Sequence, residues 1–174
     1  MLAVFLSLGF VLFRASRPRV GALGRVEGRP QEFVDLGRRP DVEPVPDLVI
    51  LRLEAGLFYA NANEIKRAVE AEVEKRDPPP KGVLLDLGAT GYIDLTSIDM
   101  LDELVRGFNS QSILVLFAHV VGQVRDQLRQ AGVFDEIGAA NIVPTLAGGV
   151  QRFIDLQASL EKGETDLAAA EPTC

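Results

Sequence analysis

One cysteine, Cys174, and one histidine, His119, are all that the chain offers to thiol or imidazole chemistry. A single cysteine cannot close an intrachain disulfide, so a reducing, cytosolic setting is the natural reading. Metal centres built on several thiolates or imidazoles are excluded by the same scarcity. So are most hydrolase constellations, and the serine, lysine and carboxylate residues that remain show no spacing that points to catalysis. No metal, no cofactor and no enzymatic activity are therefore expected. Clustered positive charge is also lacking: 18 Lys and Arg stand against 25 Asp and Glu, a formal charge of −7. No stretch is basic enough to track a phosphate backbone, which argues against a nucleic-acid partner. A glycine-rich phosphate loop is missing too, since Gly88-Ala89-Thr90-Gly91 has neither the length nor the lysine of one. The apolar opening Met1–Phe13 would cover only about 20 Å as a helix, short of the roughly 30 Å of a hydrocarbon core.

What is present fits one folded domain with tails, because 174 residues at 47% apolar composition can bury an ordinary core. Met1–Phe13 is uncharged and is followed by Arg14, Arg17 and Arg19. It lacks the basic start and small-residue cleavage site of a signal peptide, and the arginines behind it suit the cytoplasmic end of a longer transmembrane helix. Residues 14–30, rich in glycine and arginine without period, read as a linker. The folded domain is then expected over 31–157, and the acidic, alanine-rich residues 158–174 read as a disordered tail.

Within that domain, apolar runs of strand length alternate with segments of helical period. Gln31–Leu36 is a candidate first strand, and Arg38–Pro46, with its prolines, a loop. Leu48–Leu53, Val83–Leu87 and Ile113–Ala118 are near-continuous apolar runs, the signature of strands covered on both faces. Between and after them, helices are predicted from Ala62 to Val73, from about Thr96 to Phe108, from Val121 to Ala131 with Gly132 ending it, and from Leu146 to Gln157. Asn61 with Glu64, and Thr96 with Asp99, have the spacing of capping boxes at two of these helix starts. Four alternations of strand and helix predict an α/β layer with a mostly parallel sheet and right-handed crossovers.

Several residues invite a chemical role. Asp86, within an apolar strand, is either a catalytic carboxylate or an acceptor for nearby backbone at the strand end. His119 follows the next strand, where a parallel sheet displays its sites, and is read as a ligand or a solvated loop residue. Gly148-Gly149 either lets the last helix approach a neighbour or weakens it. Asp94, Thr96 and Ser97 stand out most, because their helix start falls at the C-terminal end of a central strand, where backbone N–H groups can meet an anion or a phosphoryl group.

Two stretches carry a resemblance. Tyr92-Ile93-Asp94-Leu95-Thr96-Ser97-Ile98-Asp99-Met100-Leu101 resembles the strand–loop–helix of STAS domains, the module shared by sulfate transporters and anti-sigma-factor antagonists. Leu48–Leu53 with the turn Gly56-Leu57-Phe58-Tyr59-Ala60-Asn61-Ala62 resembles, more narrowly, the second strand and Phe-Ala-Asn-Ala turn of SulP-type (sulfate permease family) transporters, a turn that free-standing antagonists generally lack. The likeness runs from about Gly28 to Leu156. It implies a STAS-like single domain, a mostly parallel sheet with about four helices packed mainly on one side. It also implies a regulatory and interaction domain on the cytoplasmic side of the cell membrane, attached behind the last transmembrane helix of a secondary active transporter of sulfate or a related inorganic anion. Implied partners are the transmembrane domain of that transporter, a cytoplasmic protein, and a second copy through the transporter. Thr96 occupies the place of the serine that a kinase phosphorylates in antagonists, with Asp94 and Ser97 beside it as a docking site; Phe58, Tyr59 and Asn61 are the turn's contact residues. Leu95 and Ser97 depart from the serine and glycine of antagonists. The alternative implied is a free-standing anti-sigma-factor antagonist switched by phosphorylation.

Overall fold

The three apolar runs form adjacent parallel strands, and the rest of the fold is arranged on their two faces. In the computed structural model, which describes residues 19–169 together with Val4, Ser7 and Gly9, these strands are β4 (Leu48–Leu53), β5 (Gly82–Asp86) and β6 (Leu114–Ala118). A short β7 (Ile142–Val143) pairs parallel to β6 and completes one edge. On the other side of β4 lies an antiparallel hairpin, β1 (Val20–Val26) and β2 (Arg29–Asp35), and the two-residue β3 (Val42–Glu43) pairs with β1. The sheet order is β2-β1-β4-β5-β6-β7 with β3 off this path.

Alternate side chains of the central strands feed two cores, as the twofold repeat of a strand requires. Val49, Leu51, Leu53, Val83, Leu85, Val115 and Phe117 pack under four helices: α1 (Ala62–Glu74), α2 (Leu95–Ser110), α3 (Gly122–Gln130) and the short α4 (Val133–Ile137). Leu48, Ile50, Leu84, Leu116 and Ala118 face the single helix α5 (Leu146–Ala169). Gly149 answers the question that its pair raised, since a Cβ there would stand 2.7 Å from Leu84 Cδ2. Its absence allows α5 to lie close on β5. The expected STAS-like α/β architecture is thus present, but its sheet is mixed and not mostly parallel, since the β1 pairings are antiparallel; one helix lies on the second face, and α4 is an element that the periodicity did not reveal.

Three boundaries require correction. Residues 20–30, assigned to the linker 14–30, contain β1 and the start of β2, and Leu23 and Val26 are core residues. Gly21, Gly24 and Arg25 break the alternation that would have marked this strand; it is held by pairing to β4, from Val20 opposite Leu53 to Leu23 opposite Ile50. The loop Arg38–Pro46 includes β3. The stretch 158–174, taken as a disordered tail, continues α5 as far as Ala169, and residues 170–174 lie outside the described residues. Most of Met1–Phe13 lies outside them as well. Among the described residues no helix is long and apolar enough to cross a membrane.

Candidate functional site

The two stretches that carry the family likeness meet at one carboxylate. Asp94 has extended backbone (φ −99°, ψ 171°) and is the N-cap of α2: its Oδ1 accepts from the Ser97 N–H at 2.9 Å. Its Oδ2 accepts from the Tyr59 N–H at 2.7 Å, across a separation of 35 residues. Burial alone would raise the Asp94 pKa, but the N–H groups of Ser97 and Tyr59 outweigh it and hold the carboxyl below the usual carboxylate range. Beside this clasp Leu57 and Ile93, both fully buried, form a parallel bridge, and Gln127 Nε2 donates to the Ile93 carbonyl at 3.2 Å. One anion thus fixes the turn after β4 to the start of the helix after β5.

The capping roles therefore shift from those predicted. Thr96 is not the cap; it is the second residue of α2 and is exposed, while Ser97 is buried. The Thr96–Asp99 spacing suggested a box, but Asp94 reaches the free N–H groups first. Asn61 occupies the N-cap position of α1, yet its side chain makes no cap bond. It braces the turn instead: Asn61 Oδ1 accepts from Phe58 N–H at 3.0 Å and Nδ2 donates to the Gly56 carbonyl at 2.9 Å. Glu64, the other half of that predicted box, pairs with Arg67. Phe58 is half-buried and stacks edge-on against Tyr59, which is exposed; the buried anchor of the turn is Leu57.

A second polar cluster, which the sequence reading names only as the separate residues Asp86 and His119, sits at the same end of the strands on the α5 face. Asp86 is buried and accepts from Arg52 Nε at 2.8 Å and from the Gly88 N–H at 3.1 Å, and His119 Nδ1 lies 2.8 Å from its Oδ1. Burial opposes ionisation here, but these partners, Arg52 foremost, keep the carboxyl below its ordinary range. Gly88 leaves little room to spare, since a Cβ there would stand 3.1 Å from Asp86 Oδ1 and 3.2 Å from His119 Cβ. Both oxygens of Asp86 are engaged, so the group ties the ends of β4, β5 and β6 together and is not a free base. Of its two predicted readings the acceptor is the one observed, with two side chains added to the backbone donor. The trace this cluster leaves in the sequence is that Arg52 and Asp86 are each the one charged residue of an apolar run, next to its end; the fold is what sets them opposite one another in register. Among the described residues no group of His, Cys, Asp and Glu could hold a metal ion.

Comparison with known proteins agrees with this architecture. Residues 39–149 match the family model described as the STAS domain, and the chain belongs to that family. A protein of Mycobacterium tuberculosis named a probable sulfate transporter is 32% identical over 151 residues, which make up 87% of this chain and 27% of the mycobacterial protein. The chain spans about a quarter of the length of the curated relatives it matches. The murine anion transporter Solute Carrier 26 family member A9 shares the fold at a TM-score of 0.76 and 18% identity, over 86% of this chain and 24% of its own. The STAS domain of a Vibrio cholerae SulP transporter superposes at 0.56 and 22% identity, over 71% of this chain and 94% of that one. A candidate anti-sigma-factor antagonist of Thermotoga maritima does so at 0.54 and 20%, over 63% and 89%.

Proposed function

We propose that this chain is the cytoplasmic regulatory domain of a secondary active SulP-type transporter of sulfate or a related inorganic anion, and that it works by binding rather than by catalysis. The observation that carries this reading is the clasp. The SulP-like turn Phe58–Asn61 is joined through the Tyr59 N–H to Asp94, so the turn and the α2 loop form a single surface. The relatives named sulfate transporters and the broad overlap with the murine anion transporter support the same reading. The transmembrane domain of the transporter is the first partner, with Met1–Phe13 as the end of its last helix; a cytoplasmic protein and a second copy through the transporter are the others. Thr96, exposed on the first turn of α2 between Asp94 and Asp99, is the residue at which a phosphoryl group would act. It would add about −1.5 to −2 charges beside two carboxylates, changing the loop's surface more than the fold.

The test is uptake of labelled sulfate by the intact protein carrying Thr96→Ala or Thr96→Glu. Transport or partner binding is expected to change several-fold while stability moves by less than about 1 kcal/mol, the size of a capping effect. Wild-type transport and partner binding in both variants would reduce Thr96 to an ordinary surface residue. The free-standing antagonist reading predicts instead a protein recovered from the soluble fraction and bound to a kinase-like regulator.

A further inference from the structure

Six large apolar side chains are exposed among the described residues, and three of them, Tyr59 (73%), Tyr92 (55%) and Leu95 (70%), surround the Asp94 clasp. Such surface is costly to leave in water, and its concentration at one spot marks a contact. The route of the chain indicates what covers it. β1 begins at Val20 opposite Leu53, the last residue of β4, and the Arg19 carbonyl accepts from the Glu54 N–H at 3.0 Å. The polypeptide therefore enters the domain at the same end of the sheet as the turn after β4 and the loop before α2. Residues 14–18 separate Phe13 from this entry and reach at most about 18 Å when fully extended. Whatever Met1–Phe13 belongs to is held close to the patch.

We infer that Tyr59, Tyr92 and Leu95 form the surface by which this domain seats on the cytoplasmic helix ends of its own transmembrane domain; the inference rests on the transporter reading above. The chemistry on both sides is complementary. Cytoplasmic ends of membrane helices present aromatic and apolar side chains with an excess of Lys and Arg. Here the apolar patch surrounds the Asp94 carboxylate and is edged by Asp99, exposed one helical turn from Leu95. The same carboxylates oppose a bare anionic lipid surface, which makes protein the better match. Thr96 lies at the rim of this contact, so a phosphoryl group added there would bear directly on the seating.

A photo-crosslinking residue placed singly at 59, 92 or 95 of the intact transporter tests this in native membranes, with Glu27 and Arg29, exposed at the opposite end of β1, as control positions. Crosslinks from the patch to peptides of the membrane-embedded region are expected at several-fold the yield from the controls. Equal yields from both ends, or patch crosslinks mainly to lipid, to a soluble protein or to a second copy of this domain, would overturn the inference while leaving the transporter reading in place. Recovery of the chain in the soluble fraction after alkaline extraction would overturn both. A Tyr59→Ser/Leu95→Ser double variant adds a second readout: a wild-type urea midpoint for the domain with transport reduced several-fold is expected, and undiminished transport counts against the contact.

Discussion

Substituting Asp94 separates the two bonds of the clasp. Its carboxylate caps α2 through Ser97 and, through its other oxygen, holds the Tyr59 N–H at 2.7 Å. Loss of an N-cap costs about 1 kcal/mol. A hydrogen bond to a charged acceptor contributes about 1.5–3 kcal/mol where the groups are buried, but Tyr59 is exposed and water can replace the acceptor, so about 1 kcal/mol is the appropriate figure. Asp94→Ala, which loses both, should cost about 2 kcal/mol on these two principles. Asp94→Asn keeps one side-chain oxygen and caps as well as aspartate, but its amide nitrogen cannot accept from Tyr59; it should cost about 1 kcal/mol. Urea unfolding with an unchanged m-value measures both, and amide exchange at Tyr59 reports the long-range bond alone. If Asp94→Asn matches wild type within about 0.3 kcal/mol and the Tyr59 amide keeps its protection, the clasp contributes nothing beyond an ordinary cap, below even a common surface effect.

Three further outcomes follow from the same geometry. A chain starting at Pro18 should unfold cooperatively in urea, whereas one starting at Gln31 loses β1, exposes the edge of β4 and should show no cooperative transition by circular dichroism; cooperative folding of the shorter chain would refute the place given to β1. Leu57→Ala should cost about 3 kcal/mol, within the range for an emptied aliphatic core site, while half-buried Phe58→Ala should cost about 1.5 kcal/mol, half the low end for phenylalanine; the reverse ranking in urea midpoints would show that Phe58 is the anchor. Because the folded pKa of Asp86 is depressed, its stabilising contribution is fully present above the unfolded value of about 3.9 and is lost as pH falls through the folded one. The urea midpoint of wild type should therefore drop more steeply than that of Asp86→Asn below about pH 4. Parallel curves would show that Arg52 and His119 leave the carboxyl unperturbed.

How far the sequence discloses this site depends on whether a signal is local. The central strands were legible because both of their faces are buried, which turns Leu48–Leu53 and Ile113–Ala118 into runs with few other readings. The hairpin strand β1 was not, because Leu23 is placed by pairing with β4 and Val26 by pairing with β2 and β3, while Gly21, Gly24 and Arg25 look like linker. The same distinction separates the two features of the site. Spacing alone finds a helix start near Asp94, since a cap acts over three residues. It cannot choose Asp94 over Thr96, because the deciding bond comes from Tyr59, 35 residues away. Nor does it connect Asp86 with Arg52 and His119, which lie on three different strands or their ends.

The clasp also gives the two likeness-bearing stretches a common physical cause. Asn61 spends its side chain on Phe58 and Gly56, inside the turn, and so leaves the α1 start without a side-chain cap. The turn in this shape presents the Tyr59 N–H to Asp94, and Asp94 in turn closes the first turn of α2. A change that deforms the turn should therefore be felt at Thr96 without any contact between them, and the phosphoryl group proposed for Thr96 would act on a loop whose other anchor is the turn. Asn61→Ala, which removes the brace but leaves Thr96 untouched, should then loosen both ends. Amide exchange should accelerate at Tyr59 and at Ser97 together. Acceleration confined to residues 56–62 would mean that the turn and the α2 loop respond as separate units, and the proposed single docking surface would lose its mechanical basis.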